Sequence, residues 1–294
     1  MPPLFSVVTP CFNAAKILPQ CVGSVRGQKD VTVEHLIQDG LSKDPTAAWA
    51  RNQQGLIVYS EKDRGMYDAI NKGWARARGD ILSWLNADEQ YIPGSLARVA
   101  RVFDDNPDVD IVYGNTIMVG PDGSPLAARR EIPLRAVYVR NGFLYTLSCS
   151  LFYRRRLFDQ GLLQLDPAFR NAGDTDLMLR LLSTGRRSAQ LRVYIGLFGV
   201  DGNNITIDGN SKMDVEVQRI RKEHEALPAP LRRVVMLGRY VERLIRGCYA
   251  SDSVSYDFAL DEKPTYRRIE NVRASSRFTF QKAVRQIQEM KERR

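Results

Sequence analysis

Short apolar stretches alternate with amphipathic ones over the first two hundred residues, and this alternation limits the possible folds more than any other feature. The apolar stretches that predict strands lie at residues 5–9, 33–38, 56–60, 81–85, 111–119, 148–153 and 190–200. Many of the segments between them place apolar residues at helical spacing, as Ile70, Trp74 and Ala77 do. Strands and helices in alternation predict an α/β fold with a doubly wound, mostly parallel sheet.

Acidic loops are expected at the edge of this sheet where ligands bind, because the carboxyl ends of parallel strands meet there. Five loops follow the strands, at residues 10–13, 39–44, 63–67, 86–89 and 174–176, and four of them contain acids. Neither G-x-x-x-x-G-K-[ST] nor G-x-G-x-x-G occurs, which disfavours a P-loop and a dinucleotide site. An acid-lined edge can still bind a nucleoside diphosphate if a cation bridges the carboxylates and the diphosphate and Arg64 adds charge-assisted hydrogen bonds.

The clearest candidate site is the loop that follows the apolar run at residues 81–85. Asn86, Asp88 and Glu89 come next and present oxygen atoms past the end of the predicted strand. Two neighbouring acids repel each other unless a positive charge lies between them, and oxygen ligands suit a hard cation such as Mg²⁺ or Mn²⁺. In the structural alternative, Asp88 caps the next helix and Glu89 is solvated.

The composition is that of a chain with a sizeable core and little material for histidine chemistry. Hydrophobic residues make up 44% of the 294 residues, and two histidines are present. The four cysteines show no paired C-x-x-C spacing, which argues against zinc and disulfides and predicts a cytoplasmic location. The sequence shows no signal-peptide pattern and no apolar run of about 18–20 residues, so neither secretion nor membrane spanning is expected.

The sequence changes character at Ser211, where the alternation stops and helical patterning begins. Nineteen Lys and Arg and twelve Asp and Glu follow from there, so most of the net charge of +9 lies in this part. We therefore predict a main domain at residues 1–209 and a basic helical C-terminal extension at residues 210–294. Pro228 and Pro230 separate its first two helices, and a third is predicted at about residues 278–292.

The second of these helices has an apolar face surrounded by arginines. The apolar residues are Leu231, Val234, Val235, Val241, Leu244, Ile245 and Cys248, and the arginines are Arg232, Arg233, Arg239, Arg243 and Arg246. One interpretation packs the apolar face onto the rest of the protein and leaves the arginines in water. The other places the helix on an anionic membrane surface, as in a peripheral membrane protein. Nucleic acid is not an expected partner, because the basic residues are not interleaved with a stacking platform.

Five motifs, in this order along the chain, resemble those of the family 2 glycosyltransferases with the GT-A fold. They are VVTPCFN at residues 7–13, QDGLSKD at 38–44, SEKDRGMYDAINKG at 60–73, LNADE at 85–89 and AGDTDL at 172–177. The resemblance covers about the first two hundred residues, and it implies that residues 1–209 bind a nucleotide-sugar and catalyse its transfer. It implies an inverting enzyme that uses Mn²⁺ or Mg²⁺ and moves one sugar, expected from a UDP-sugar, to an acceptor hydroxyl. The expected acceptor is a glycan or glycolipid, such as a lipid-linked or surface-polysaccharide precursor.

The resemblance also implies roles for individual residues on the donor side. The nucleotide-sugar-binding positions are Pro10, Phe12, Asn13, Asp39, Arg64, Asn86 and Asp88. Three of these have structural alternatives: Phe12 could be a core residue, Asp39 could close a turn, and Arg64 could be a solvated charge.

The remaining implied roles concern the metal, the general base and the acceptor. Asp88 and Glu89 match the metal-binding D-x-D segment, although Glu89 stands where the family more often has Asp. Asp174 matches the general base, although it could simply cap the helix that follows. Asp176, Ser148 and Cys149 fall on the acceptor side, and the Ser-Cys pair replaces a His-Gln pair of many relatives. Asp176 could instead stabilise the start of its own helix.

Two other functions stay open at this point. A sugar-nucleotide nucleotidyltransferase shares a similar sheet and metal, but it would need a basic phosphate loop at residues 9–13, where none is present. A non-catalytic sugar-nucleotide-binding protein is the second. The Q-x-x-R-W motif of processive synthases does not occur, so one sugar per encounter is expected.

Overall fold

The computed structural model describes residues 4–200 and 211–274, in which strands and helices alternate along most of the chain. The strands are β1 (Leu4–Cys11), β2 (Thr32–Asp39), β3 (Leu56–Ser60), β4 (Ile81–Trp84), β5 (Gln90–Tyr91), β6 (Ile111–Val119), β7 (Pro125–Arg129), β8 (Leu151–Arg154), β9 (Ser188–Gly199), β10 (Asp252–Ala259) and β11 (Tyr266–Ala274). The helices are α1 (Leu18–Arg26), α2 (Thr46–Arg51), α3 (Met66–Arg76), α4 (Ser95–Asp105), α5 (Ala136–Asn141), α6 (Arg155–Asp159), α7 (Gly173–Ser183), α8 (Ser211–Glu223) and α9 (Ala229–Ile245). Among these strands, nine form one sheet in the order β3-β2-β1-β4-β8-β6-β9-β5, with β7 beside β6.

The first half of the sheet is the doubly wound parallel structure that the alternation predicts. β1 pairs in parallel with β2 and β4, and β2 pairs in parallel with β3. Both faces of β1 are buried: Val8 shares a core cluster with Ile70 of α3, and Val7 shares another with Cys21 of α1. Burial on both faces explains why this strand is a continuous apolar run. The arrangement brings the loops after β1, β2 and β4 to one edge.

The second half of the sheet mixes strand directions, although most paired residues of the whole sheet lie in parallel pairs. β8 runs antiparallel to β4 and β6, whereas β9 runs parallel to β6. β6 and β7 form a hairpin, and the turn between them contains Asp122-Gly123, a dipeptide typical of hairpin turns, with Gly123 at a φ of 77°. The strand predicted at residues 148–153 begins only at Leu151. The N–H and hydroxyl of Ser150 both donate to the Leu147 carbonyl, which closes a turn of 3₁₀ helix before it.

Helices α8 and α9 confirm the predicted helical C-terminal region, but a β-hairpin follows them. β10 and β11 pair antiparallel, and they pack beside α1 and β7, respectively. Burial along β11 does not alternate every second residue, so sequence periodicity does not reveal it. The helix predicted at about residues 278–292 lies outside the described residues. No helix in the described ranges is both long enough and apolar enough to cross a membrane.

Helix α9 packs against the protein through arginines and turns its apolar side chains outward. Arg243 is buried and donates to Glu131 at 2.9 Å, while Arg239 lies over the rings of Phe143 and Tyr145. The exposed large hydrophobic side chains of α9 are Leu231, Val234, Leu237, Tyr240, Val241, Leu244 and Ile245. The interpretation in which this apolar face packs inward is therefore wrong for most of the helix.

Candidate functional site

A cavity of about 1020 Å³ lies where the loops after β1, β2 and β4 meet. Its walls come from these loops, from α5 and the segment after it, from the start of α7 and from α8. Its volume is at the upper end of the roughly 300–1,000 Å³ of small-molecule pockets, which suits a site for two substrates. The cavity therefore joins the predicted nucleotide loops to a wall made by helices from later in the chain.

The loop after β1 forms part of the cavity mouth. Pro10 and Phe12 line it, and Phe12 exposes 59% of its surface, which contradicts the alternative that it is a core residue. Asn13 ties this loop to the next one: its N–H donates to Ser42 Oγ and its Oδ1 accepts from the Lys43 N–H, both at 2.8 Å. An exposed ring on a fixed loop is a surface on which a flat base can stack.

Asp39 is fully buried at the end of β2, next to this mouth. Its carboxylate accepts hydrogen bonds from the N–H and hydroxyl of Ser42 and from Ser60 Oγ at 2.5 Å. The next residue, Gly40, lines the cavity. Asp39 thus closes a turn with Ser42 and is not exposed at the cavity surface, so its contact with a ribose stays a prediction.

The two acids after β4 have different surroundings. Asp88 lines the cavity, whereas Glu89 is fully buried. Glu89 accepts from the Asn86 N–H at 2.9 Å and from Ser148 Oγ at 2.5 Å, so its two oxygens join this loop to the turn before β8. Burial raises the pKa of Glu89, and the charge of Asp88 raises it further. Asp88 is therefore the acid of this pair that faces the cavity, and Glu89 holds the loop in place.

Asp174 lies in the first turn of α7 and lines the same cavity. Burial raises the pKa of Asp174 to about 6, and the charge of Glu216 raises it too, while a hydrogen bond from the Thr175 N–H at 2.7 Å opposes the rise. A carboxyl group with such a pKa is mostly ionised at neutral pH and still basic enough to accept a proton. Asp174 therefore has the chemical character of a general base.

Two side chains hold the backbone around Asp174. Glu216 of α8 accepts from the three N–H groups of residues 170–172, at 2.7, 2.9 and 3.0 Å. The Tyr67 side chain packs against Gly173, and its hydroxyl faces the N–H groups of Gly173 and Asp174. A Cβ on Gly173 would lie 2.7 Å from the Tyr67 ring, so this close approach requires glycine. The position of Asp174 thus depends on α3 and on α8.

Arg64, which the sequence predicts near the phosphates, points largely into solvent, and another arginine, Arg170, lines the cavity. Arg64 leaves 72% of its side chain exposed and pairs with Asp68 at 3.0 Å. Arg170 lines the cavity instead, and its guanidinium donates to the Arg64 carbonyl oxygen. A role of Arg64 near the phosphates stays a prediction, and Arg170 is a cation of the site that the motifs do not identify.

The three predicted acceptor-side residues separate in the structure. Ser148 lines the cavity, while the neighbouring Cys149 is buried in a core cluster. Asp176 is buried too; it accepts from Arg180 Nε at 2.9 Å and lies 2.8 Å from His224 Nε2. Asp176 thus connects α7 to the residue that follows α8, and Ser148 is the member of this set that lines the cavity.

Unpartnered polar atoms are concentrated around this cavity. In the described part of the chain, eight buried side-chain polar atoms lack a hydrogen-bond partner, and five of them belong to residues that line the cavity. These five are Trp84 Nε1, Asn86 Oδ1, Arg140 Nε, Thr146 Oγ1 and Arg221 Nε. Buried polar groups in native proteins are nearly always hydrogen-bonded to protein, ordered water or ligand, so further partners are expected around this cavity.

The residues after β4 fit a cation that is held jointly with a substrate. Among residues 4–200 and 211–274, no group of three or more His, Cys, Asp and Glu side chains could hold a metal ion by itself. Proteins typically bind Mg²⁺ through one or two carboxylates together with substrate phosphates. Asp88 supplies a carboxylate at the cavity, and Asn86 Oδ1 is a second oxygen atom in the same loop.

The sequence and the fold both match known glycosyltransferases. Residues 6–162 match the family model described as glycosyl transferase family 2. PGL/p-HBAD biosynthesis glycosyltransferases of Mycobacterium bovis and Mycobacterium tuberculosis are 34% identical over 167 residues, which is 52% of this chain and 65% of each relative. An uncharacterized glycosyltransferase of Rickettsia typhi is 26% identical over 174 residues, 54% of this chain and 55% of its own length. The chain thus spans less than two-thirds of the length of these relatives.

Solved structures resemble the fold at low sequence identity. S. aureus TarS superposes with a TM-score of 0.56 at 17% identity, over 92% of this chain and 60% of its own. Its fragment 1–349 in complex with UDP-GlcNAc superposes at 0.53 and 16% identity, over 90% and 99% of the two chains. The mannosyltransferase PcManGT from Pyrobaculum calidifontis, in complex with GDP-Man and Mn²⁺, superposes at 0.52 and 15% identity, over 83% and 81%. These matches establish the GT-A-like α/β fold.

Proposed function

The chain belongs to glycosyl transferase family 2, and from this premise we propose that it moves one sugar from a UDP-sugar to an acceptor hydroxyl with inversion at the anomeric carbon. The observation that carries the proposal is the shared cavity of Phe12, Asp88 and Asp174, which puts a base-stacking surface, a cation-binding acid and a partly buried carboxylate around one space. The complex of TarS 1–349 with UDP-GlcNAc supports the choice of UDP.

In the proposed reaction, Asp174 removes the proton of the acceptor hydroxyl as the acceptor oxygen attacks the anomeric carbon. The bond between that carbon and the diphosphate oxygen breaks, and the diphosphate leaves with the electron pair. A single displacement of this kind inverts the configuration. Glu216 keeps Asp174 in position through its hydrogen bonds to the backbone of residues 170–172, and Tyr67 does so by packing against Gly173.

Asp88, with Asn86, would hold a divalent cation, Mg²⁺ or Mn²⁺, together with the donor diphosphate. The ion supplies Lewis-acid stabilisation of the charge on the leaving diphosphate. The Mn²⁺ present with GDP-Man in the Pyrobaculum mannosyltransferase supports this assignment. The prediction that Glu89 is a metal ligand is less well supported, because both of its oxygens already accept hydrogen bonds.

The proposal is tested with a panel of nucleotide-sugars, by measuring the release of free nucleoside diphosphate with water as the acceptor. We expect Asp174→Asn to lower this rate by about 10²–10⁴-fold and to leave UDP affinity unchanged, because the amide cannot accept the proton. Asp105→Asn, at an exposed acid at the end of α4, is the matched control and should change neither quantity.

Three results would contradict the proposal. Unchanged turnover in Asp174→Asn would remove the general base. Tight UDP binding without turnover on any donor would indicate a non-catalytic binding protein. Release of pyrophosphate from a nucleoside triphosphate and a sugar phosphate would indicate a nucleotidyltransferase.

We propose a second role for residues 210–294, in addition to the support that α8 gives to Asp174. In this role α9 binds an anionic membrane surface, where a glycolipid or lipid-linked acceptor is found. The outward face of α9 is apolar along its whole length, and Ile245 at its end is 80% exposed. Arg232 and Arg233 lie at its start and Arg246 follows its last residue. An apolar face bordered by arginines matches the boundary between acyl chains and anionic headgroups.

Flotation of the full chain with vesicles tests this second role. We expect binding to phosphatidylcholine vesicles that contain phosphatidylglycerol, weaker binding without it, and loss of binding in the double variant Leu237→Glu, Ile245→Glu. Leu260→Glu, at an exposed leucine of the β10–β11 turn, is the control and should still bind. Binding by the double variant would refute the membrane contact. A wild-type dimer without vesicles that the double variant abolishes would assign the face to a second copy of the chain.

A further inference from the structure

The wall of the cavity formed by α5, the segment after it and α8 is mostly apolar. Six of its side chains are Val139, Phe143, Leu144, Met213, Val217 and Ile220. Those of α8 recur at intervals of four and three residues, so they occupy one face of that helix. We call this surface the acceptor wall. It can hold an apolar part of a ligand.

Three polar side chains interrupt the acceptor wall, and each keeps a buried atom without a hydrogen-bond partner. They are Arg140 through Nε, Thr146 through Oγ1 and Arg221 through Nε. Thr146 is almost completely buried, with 1% of its surface exposed. The three residues thus line the cavity, and one polar atom of each is not satisfied by the described protein.

Arg221 is a partly buried cation on the acceptor wall. Burial lowers the pKa of Arg221, and the charge of Arg232 lowers it further against the opposing charge of Asp214. A guanidinium stays charged under these conditions, and removing it from water costs free energy unless a partner compensates. Its planar set of donors matches the oxygens of a phosphate group.

We propose that the acceptor is an amphiphile whose phosphate group binds Arg140 and Arg221 and whose apolar part lies on the acceptor wall. This inference rests on the proposed function and names the substrate class of its acceptor. The Thr146 hydroxyl supplies a further hydrogen bond to the same polar end. An acceptor of this kind carries its reactive hydroxyl toward Asp174, which lines the same cavity.

The donor diphosphate is the other phosphate that the cavity would receive, but it is expected beside Asp88, at the end of β4. Arg140 belongs to α5, which packs against α7, α8 and α9, and Arg221 belongs to α8. The loops assigned to the nucleotide follow β1 and β2, and both strands lie on the side of β4 that faces away from β8 and β6. The two arginines therefore belong to the acceptor side of the fold.

The test uses octyl phosphate as the probe, with octanol and inorganic phosphate as partial probes, in calorimetric titrations of the full chain. We expect octyl phosphate to bind more tightly than either partial probe. Arg140→Gln and Arg221→Gln should each weaken its binding by about ten-fold or more, the usual effect of losing a charge-assisted hydrogen bond. UDP affinity should stay unchanged in both variants.

Arg101→Gln, at an exposed arginine of α4, is the matched control and should bind octyl phosphate like the wild type. Thermal unfolding checks that Arg140→Gln and Arg221→Gln remain folded, so that weaker binding does not reflect a loss of the native state; the Nε of each arginine has no hydrogen bond to lose. Equal octyl phosphate binding by wild type and variants, or equal binding of octanol and octyl phosphate, would overturn the inference. A parallel loss of UDP affinity would assign the arginines to the donor diphosphate. If octyl phosphate binding contradicted the inference while UDP binding stayed intact, the proposed function would still stand.

Discussion

The two sides of the cavity differ in how their polar side chains are held. On the nucleotide side, Asp39 accepts hydrogen bonds from Ser42, three residues later, and from Ser60 on the neighbouring strand. On the acceptor wall, Arg140 and Arg221 each keep a buried Nε without a partner. The carboxylate of Asp39 is thus already satisfied within the protein, whereas each of the two arginines, like Asn86 after β4, has a buried atom that lacks a partner.

This difference separates two tasks. A wall whose polar groups are already fixed loses little conformational freedom on binding, so it favours affinity for one constant partner. A wall with unsatisfied donors among apolar side chains discriminates between partners, because a ligand without the matching group leaves the donors buried and unpaired. We therefore expect changes on the nucleotide side to alter donor binding or turnover, and changes on the acceptor wall to alter acceptor use alone.

The largest effect should separate the two acids after β4. Asp88→Asn should lower donor turnover by about 100-fold or more, because it removes the carboxylate proposed to hold the cation. Glu89→Gln should lower donor turnover by less than about ten-fold. The amide oxygen of the glutamine can still accept from the Asn86 N–H, and its NH₂ group can donate to the Ser148 hydroxyl, which then acts as the acceptor.

Steady-state turnover at saturating Mn²⁺ measures both variants, and Glu89→Ala serves as the control that removes both loop contacts. If Glu89→Gln lost as much activity as Asp88→Asn, Glu89 would be a metal ligand as the sequence predicts. If Asp88→Asn stayed active, the assignment of the cation to this loop would fail.

A smaller effect should come from the exposed ring at the mouth. Phe12→Ala should weaken UDP binding by about ten-fold, since base–aromatic stacking contributes roughly 1–3 kcal/mol. Phe12→Tyr keeps the stacking face and should bind UDP like the wild type. Calorimetric titration with UDP measures both, and the affinity for octyl phosphate should not change. Loss of octyl phosphate binding in Phe12→Ala would mean that the two sides of the cavity are not independent.

The smallest effect concerns the pH dependence set by α8. Because burial raises the pKa of Asp174 to about 6, kcat/KM for the donor should rise with pH up to about 6 and then level off, as the carboxyl loses its proton. Glu216→Gln removes a negative charge that raises this pKa, so the rise should move to lower pH, with a few-fold loss of kcat as the loop loosens.

A pH series on wild type and Glu216→Gln checks this expectation. Glu223→Gln, at a partly exposed acid at the end of the same helix, should leave the profile in place. A profile that moves to higher pH in Glu216→Gln would contradict the proposed influence of Glu216 on Asp174.

Much of the nucleotide side could be predicted from the sequence because strand, loop and helix are contiguous there. The strand at residues 81–85 and the acids after it are neighbours in the chain, and the structure keeps Asp88 at the cavity. The direction of Glu89 could not be predicted, because it depends on Ser148, which lies 59 residues later. The helical pattern of α9 was equally visible, but which face turns inward depends on Glu131, which is 112 residues from Arg243.

The sequence by itself determined the parallel half of the sheet and the order of the loops at its edge, because buried strands and turn residues leave local patterns. Only the tertiary structure decided that Glu216 supports the Asp174 loop and that Arg140 and Arg221 share one cavity. Glu216 and the loop residues that it binds are 44 to 46 residues apart, and no period or motif connects them. Helix packing brings such residues together, and packing depends on the whole set of buried surfaces.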